Sequence, residues 1–270
     1  HFLRQGSWAI AAVALMTWQP DTRDLSYIMA LWTCAGVAAA TVGLLKIKSL
    51  GLGGWKQPVK WTWIRKGVSI SVAFLAATLA IRGVNTIDRY WVDAIGGLEA
   101  VAAYVLFYGV ASSLMTFLDA GVFSFTYPSL IKLHHQNARS LARAKVLQML
   151  QLTLVASVVF ALISWHALPL LLEWIAKPAY SQHLNLYPLI LSAIMVWAVS
   201  MVPHYGLYAQ GIDKPIIISH VAALPAFFMG TAVASGFFST LAIPIGLNVA
   251  FLLVLCWKTT AYWQQGKAAN

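Results

Sequence analysis

The sequence contains few charged residues and very few acids. Asp and Glu together number 8 among 270 residues, and all charged residues make up 10% of the chain. Soluble domains contain about 25% charged residues, so this composition excludes a water-soluble fold. Cysteine is also scarce. Cys34 and Cys256 lie far apart in apolar stretches, a spacing that suits neither a metal site nor a disulfide framework.

Apolar residues take the place of the missing charges. Hydrophobic side chains make up 60% of the chain, and the mean hydropathy is +0.73. Because a membrane-crossing helix needs about 20 apolar residues, we predict an all-α, polytopic transmembrane helix bundle of about eight spans. A short apolar run, 8–18, precedes the runs that are long enough to cross a bilayer, which are 25–45, 67–87, 98–127, 146–167, 184–209, 216–236 and 240–257.

The net charge of +10 comes from basic residues that occupy alternate connections between the spans. Segments 46–66 and 130–145 are rich in Lys and Arg, and Lys214, Lys258 and Lys267 follow at every second crossing. If these connections are cytoplasmic, the basic residues outside are Arg23, Arg89 and Lys177. The positive-inside rule therefore predicts a cytoplasmic C-terminus. Since the charge reports orientation, we expect no nucleic-acid partner.

Three polar residues share one face of the second predicted span. Arg82 lies about 22 Å along this helix, in the outer half of the bilayer, and Asn85 and Arg89 follow at three and seven residues. A charge within a span costs about 2.5–3.5 kcal/mol and usually has a function. We predict an anion site, in which a guanidinium binds phosphate and Asp88 offsets part of the charge. Alternatively, Arg82 extends to the headgroups and Asp88 pairs with Arg89 at the interface.

A second polar stripe follows the next predicted span at intervals of four and three residues. It consists of Tyr104, Tyr108, Ser112, Thr116 and Asp119, which cover one sector of a helix. We predict that the stripe lines a passage for sugars and that Asp119, near the cytoplasmic end, takes up a proton or cation. The alternative for Asp119 is a hydrogen bond to a neighbouring helix, or exposure at the inner surface.

Short motifs resemble those of a known transporter family. Asn-Thr-Ile-Asp-Arg at 85–89 and Gly-Gly-Leu-Glu-Ala-Val-Ala-Ala-Tyr at 96–104 resemble the pattern that opens the second lobe of bacterial polysaccharide and O-antigen flippases. These are the Wzx-like members of the multidrug/oligosaccharidyl-lipid/polysaccharide exporter superfamily. Tyr-Pro-Ser-Leu at 127–130 and Tyr-Ala-Gln-Gly-Ile-Asp-Lys-Pro at 208–215 resemble later turns of the family. Ala102 replaces the family's usual Gly, which permits the same packing less tightly.

The resemblance implies two lobes of six helices each, in the bacterial inner membrane. It also implies alternating access that carries undecaprenyl-diphosphate-linked oligosaccharide to the outer leaflet. We then expect about the last eight of twelve helices here, with roughly four preceding them. The expected domains are two N-terminal-lobe helices in 1–45, a cytoplasmic linker in 46–66, the C-terminal lobe in 67–258 and a tail in 259–270. The alternative for 46–66 is an ordinary loop.

We therefore expect a flippase for surface polysaccharide biosynthesis. Its partners would be lipid-linked oligosaccharide, the bilayer, a coupling proton or sodium ion, and polysaccharide assembly proteins, with no cofactor or metal. A drug exporter of the same superfamily and a scaffold subunit are alternatives. A membrane glycosyltransferase or polymerase is less favoured, because its external acids would be Asp21 and Asp24 in one turn. The expected substrate-binding residues are Arg82, Asn85, Arg89, Tyr104, Tyr108, Ser112 and Thr116, and the expected ion-coupling residues are Asp88 and Asp119.

Overall fold

The structure is a computed structural model that describes Arg4 and residues 6–51 and 58–268. These residues form helices and turns and contain no β-strand. Among them, six helices are long and apolar enough to cross a membrane. The all-α prediction is confirmed at this level, whereas the count of about eight spans and the two-lobe arrangement stay predictions. Residues 52–57 of the predicted linker and 269–270 of the predicted tail lie outside the described residues.

The chain divides into two compact units, His1–Trp63 and Ile64–Asn270. The first unit contains α1 (Ser7–Trp18), a 3₁₀ turn (Pro20–Thr22) and α2 (Leu25–Ser49), and α1 packs against α2. With 12 residues, α1 is about 18 Å long and too short to cross a bilayer. Asp24 caps α2 by accepting a 2.8 Å hydrogen bond from the Leu25 N–H.

The second unit begins within a long helix that reverses its direction. This helix, α3 (Trp61–Leu118), has one residue with non-helical dihedral angles, Gly97, at φ 72° and ψ −177°. Residues 88 and 104 would be about 24 Å apart in a straight helix, yet the Tyr104 hydroxyl donates a 2.7 Å hydrogen bond to Asp88. The arms 61–96 and 98–118 therefore lie side by side. The predicted spans 67–87 and 98–127 leave residues 88–97 as the connection between them, and residues 88–96 of this connection are helical.

Helices continue to the end of the described chain. A π-helical turn (Asp119–Phe123) leads from α3 into α4 (Ser124–His135), and then follow α5 (Arg139–Ile175), α6 (Pro178–Gln182), α7 (Leu186–Ala209), α8 (Lys214–Ser235) and α9 (Ala242–Ala268). Several helices are longer than the apolar runs that predict them. In particular, α9 continues into the predicted cytoplasmic tail 259–270 as far as Ala268, and the location of that segment stays a prediction.

The interior of the second unit is formed mainly by α7, α8 and α9, which pack closely on one another. Gly246 of α9 lies so near α8 that an added Cβ would overlap Thr231 and stand 3.0 Å from the Phe227 carbonyl oxygen. Without a hydrophobic driving force in lipid, membrane helices associate through such close backbone approach. The largest buried apolar side chains of these helices are Tyr187, Leu186, Phe227 and Phe251.

The outer surface of the second unit is apolar, as a lipid environment requires. On α5, Val155, Leu162 and Ile163 are about 60% exposed, at 62%, 60% and 62%. A soluble monomer rarely exposes so many large apolar side chains along one helix. The exterior of the second unit thus suits a membrane, and Asp88 and Tyr104 are buried inside it.

Candidate functional site

The reversal at Gly97 assembles a polar cluster that we call the Asp88 cluster: Asp88, Tyr104 and Tyr108. Asp88 is 1% exposed, and its carboxylate accepts hydrogen bonds of 2.7 Å from the Tyr104 hydroxyl and the Arg89 backbone N–H. The ring of Tyr108 stacks on Tyr104 at a centroid distance of 6.2 Å. A buried carboxylate needs such donors because burial removes its water. Asp88 therefore links the two arms of α3.

The predicted cationic face lies beside this cluster. Arg82 and Arg89 are exposed, and both are close enough to Tyr108 to interact with it electrostatically. Asn85 lies between them on the same arm, and its side-chain oxygen is buried without a hydrogen-bond partner. The structure thus brings together five predicted substrate-binding residues and Asp88 around the reversal of α3 at Gly97. The Asp88 contact to Arg89 is made through the Arg89 backbone, whereas the sequence offered a side-chain ion pair as the alternative.

The remainder of the predicted stripe has a different environment. Ser112 donates its hydroxyl to the Gly109 carbonyl oxygen of its own helix at 3.0 Å, and Thr116 is exposed. Asp119 is exposed at the start of the π-helical turn, 15 residues after Tyr104 and so about 22 Å farther along the helix. The stripe is therefore divided into a buried part at the Asp88 cluster and an exposed part toward α4.

The second unit contains a cavity of ≈1090 Å³, which is larger than a cavity of ≈350 Å³ near Pro169. The sequence did not predict the larger cavity as a site. We call the larger one the basic cavity. It is lined by residues of α4, α5, α7 and α9, including Arg139 and Arg143 at the start of α5 and Val146, Leu147 and Leu150 one and two turns later. The lining residues include no Asp or Glu. The cavity is therefore cationic at one end and apolar farther along the same helix.

The arginines of the basic cavity belong to segment 130–145. The charge of this segment was interpreted only as a signal of membrane orientation. Positions 139, 143, 146 and 150 recur at intervals of three and four, which places them on one helix face. This periodicity is the signal that could have indicated a binding surface. It could not indicate the cavity, because the opposite wall comes from α7 and α9, which are distant in the sequence.

Lys258 occupies a position that the sequence did not predict. Its charge was taken to mark the cytoplasmic surface, but it lies within α9 and is 0% exposed. Its Nζ has no hydrogen-bond partner. His204 of α7 is partly buried, and its Nδ1 is also buried without a partner. Spacing along the chain does not indicate the burial of Lys258 and His204, since it depends on how α7, α8 and α9 pack.

No protein family, curated protein or solved structure matches this chain. The resemblance of segments 85–89, 96–104, 127–130 and 208–215 to polysaccharide flippases therefore stays a prediction. The residues, the cavity and the fold are the basis on which a function is proposed.

Proposed function

We propose that this protein is a flippase for a lipid-linked oligosaccharide in the bacterial inner membrane. Its substrate would be an undecaprenyl-diphosphate-linked oligosaccharide, which moves from the cytoplasmic to the outer leaflet by alternating access. The motif resemblance suggests this class. The basic cavity is the single observation that carries the proposal, because it is a large amphipathic space within a bundle of apolar helices.

The basic cavity matches the chemistry of an amphiphile with a phosphate headgroup. Arg139 and Arg143 at its cationic end carry planar guanidinium groups, the type of side chain that binds phosphate oxygens in pairs. Leu147 and Leu150 continue the wall with apolar side chains that suit a polyisoprenyl chain. In the predicted topology this end is cytoplasmic, where such a substrate is made available.

The Asp88 cluster and its neighbouring arginines would serve at the other leaflet. Arg82 and Arg89 lie on the arm that leads to the reversal at Gly97, and the predicted topology places that reversal outside. We propose that the diphosphate passes from the basic cavity to these cations, while the stripe from Tyr104 to Thr116 contacts sugars. Asp88 and Asp119 remain the proposed carboxylates for coupling to a proton or sodium ion.

The test is a leaflet-specific assay in vesicles with the full-length protein and a labelled lipid-diphosphate oligosaccharide. Arg143→Gln should slow translocation about 10- to 150-fold, since losing a charge-assisted hydrogen bond costs about 1.5–3 kcal/mol. Arg65→Gln is the matched control, because Arg65 is an exposed arginine outside the basic cavity. It should translocate at the wild-type rate.

Two results would overturn the proposal. One is wild-type translocation by Arg143→Gln at equal protein levels, which would exclude the basic cavity from the route. The other is a deletion strain that keeps its surface glycan and becomes sensitive to drugs, which would assign the chain to small-molecule export.

A further inference from the structure

The strongest unexplained feature of the second unit is a buried lysine without an acceptor. Lys258 of α9 is 0% exposed, and its Nζ makes no hydrogen bond. The nearest aromatic partner is the indole of Trp197 on α7, whose ring centroid is 5.0 Å from the Nζ. A cation–π contact recovers only part of the free energy that burying an ammonium costs.

Two histidines lie beside this lysine. The rings of His204 on α7 and His220 on α8 stack at 5.8 Å with an angle of 22°, and His220 also lies 5.5 Å from Trp197. The Nδ1 of His204 and the Nε2 of His220 are buried without hydrogen-bond partners. Lys258 interacts electrostatically with both rings. Three nitrogen bases from three helices therefore meet at one place, which we call the Lys258 cluster: Lys258, His204 and His220.

The surroundings of the Lys258 cluster hold no counter-charge among the described contacts. From α7, the titratable neighbours are Tyr205 and Tyr208, whose rings lie 5.6 Å and 6.2 Å from His204. From α8 the neighbour is His220 itself, and α9 contributes Lys258. Tyr205 interacts in turn with Asp119, an exposed carboxylate, so a series of titratable groups runs from the cluster toward the protein surface.

An anion is a poorer occupant of this site than a proton. Lys258 is fully enclosed by side chains, and it is not among the residues that line the basic cavity, although its neighbours Leu255, Cys256 and Thr259 are. The lysine thus lies beside the cavity-lining residues of α9, three residues from Leu255 and four from Tyr262, but does not open into the cavity. A proton needs no such space, and histidine and lysine nitrogens both accept one.

We infer that the Lys258 cluster is a proton-binding site that joins α7, α8 and α9. The packed arrangement is its proton-poor state. A proton that enters from water is held by one of the three nitrogens, and the added charge favours separation of these helices so that water reaches it. The proton returns to water when the helices close. This site is distinct from the carboxylates Asp88 and Asp119, and its use in coupling rests on the proposed flippase function, whereas proton binding does not.

The first test measures proton binding without transport. The full-length protein in lipid nanodiscs is titrated between about pH 5 and 9, the range in which histidine changes charge, and tryptophan emission is recorded. The emission that Trp197→Phe removes belongs to Trp197. We expect this emission to titrate, and we expect Lys258→Met to move the midpoint by at least about half a pH unit, as interacting sites require.

The control is His166→Gln, which removes an exposed histidine and should leave the midpoint unchanged. A Trp197 emission that does not titrate would overturn the site, and this result needs only Trp197→Phe to fold, with all three nitrogen side chains of the cluster unchanged. A Lys258→Met midpoint equal to that of wild type would exclude the lysine from it. His204→Gln and His220→Gln should each shift the midpoint as well.

The second test separates the proton site from its use in transport. Translocation in vesicles is measured with and without a pH gradient, and Lys258→Met should lose at least about half of the acceleration that the gradient produces. A titrating cluster with unchanged acceleration would overturn the coupling role and leave the proton site in place. A wild-type protein that does not translocate the labelled lipid would overturn the proposed function alone.

Discussion

The Tyr104 hydroxyl donates a 2.7 Å hydrogen bond to the Asp88 carboxylate, although 16 residues separate the two in the sequence. Both side chains are buried, Asp88 at 1% and Tyr104 at 0% exposure. The bond therefore connects the arms of α3 where water cannot replace it. It also fixes the end of the first arm, 61–96, which carries Arg82 and Arg89.

Removing the hydroxyl should destabilise the protein. Tyr104→Phe leaves one carboxylate oxygen of Asp88 buried without its donor, at a cost of about 1–3 kcal/mol. Thermal unfolding of the purified protein in detergent measures the loss. Tyr90→Phe is the control, because Tyr90 is 73% exposed and should unfold at the wild-type temperature. Equal unfolding temperatures for both variants would contradict the role assigned to the bond.

Arg82 should be required for surface polysaccharide. In the full-length protein, Arg82→Ala is expected to abolish the polysaccharide at the cell surface while membrane insertion stays normal, because a phosphate contact is lost. Arg65→Ala removes another exposed arginine of the same helix and should have no effect. Normal polysaccharide from Arg82→Ala at normal expression would reject Arg82 as a substrate ligand.

The reversal of α3 should depend on glycine at one position. Gly97 has φ 72°, and no atom lies within 4 Å of where its Cβ would stand, so the penalty of Gly97→Ala is backbone strain of about 1–3 kcal/mol. Gly109→Ala in the second arm also meets open space, but there alanine favours the helix by about 1 kcal/mol. The free energy of unfolding should therefore decrease in Gly97→Ala and increase in Gly109→Ala. A stabilising Gly97→Ala would disprove the strained turn.

Asn248 should stabilise the contact between α7 and α9. Its Nδ2 donates to the carbonyl oxygens of Leu189 and Pro244, both at 2.8 Å, and its Oδ1 accepts from the Ser192 hydroxyl at 3.0 Å. Asn248→Ala should cost about 1–3 kcal/mol in unfolding measurements. Ser192→Ala removes one of these bonds and should cost less. Equal losses for the two variants would show that the bonds to the Leu189 and Pro244 carbonyls contribute nothing.

The sequence predicts helix positions better than helix ends. The run 184–209 corresponds to α7 and 216–236 to α8 within two residues, because long apolar runs have few alternatives in lipid. The ends of α5 and α9 extend beyond their runs, since a helix continues into water as long as its backbone bonds are satisfied. The helical structure of residues 88–96 was not predicted, because the reversal needs only one non-helical residue, Gly97.

Helical spacing predicts some relationships among the site residues and does not predict others. The shared face of Arg82, Asn85 and Arg89 follows from helical spacing alone. The proximity of Asp88 to Tyr104 does not, because it depends on the reversal at Gly97. A single sequence carries no signal for such a pair until the turn is known.

The sequence by itself determined that this protein folds in a lipid environment. Eight acids among 270 residues cannot support a soluble surface, and apolar runs in lipid must form helices because their backbone groups have no water to bind. Only the tertiary structure decided which polar residues are buried and which of them meet. Lys258 lies at the end of an apolar run like any surface lysine, but the packing of α7, α8 and α9 encloses it beside two histidines. Burial is a property of contacts between distant segments, so spacing along one helix cannot reveal it.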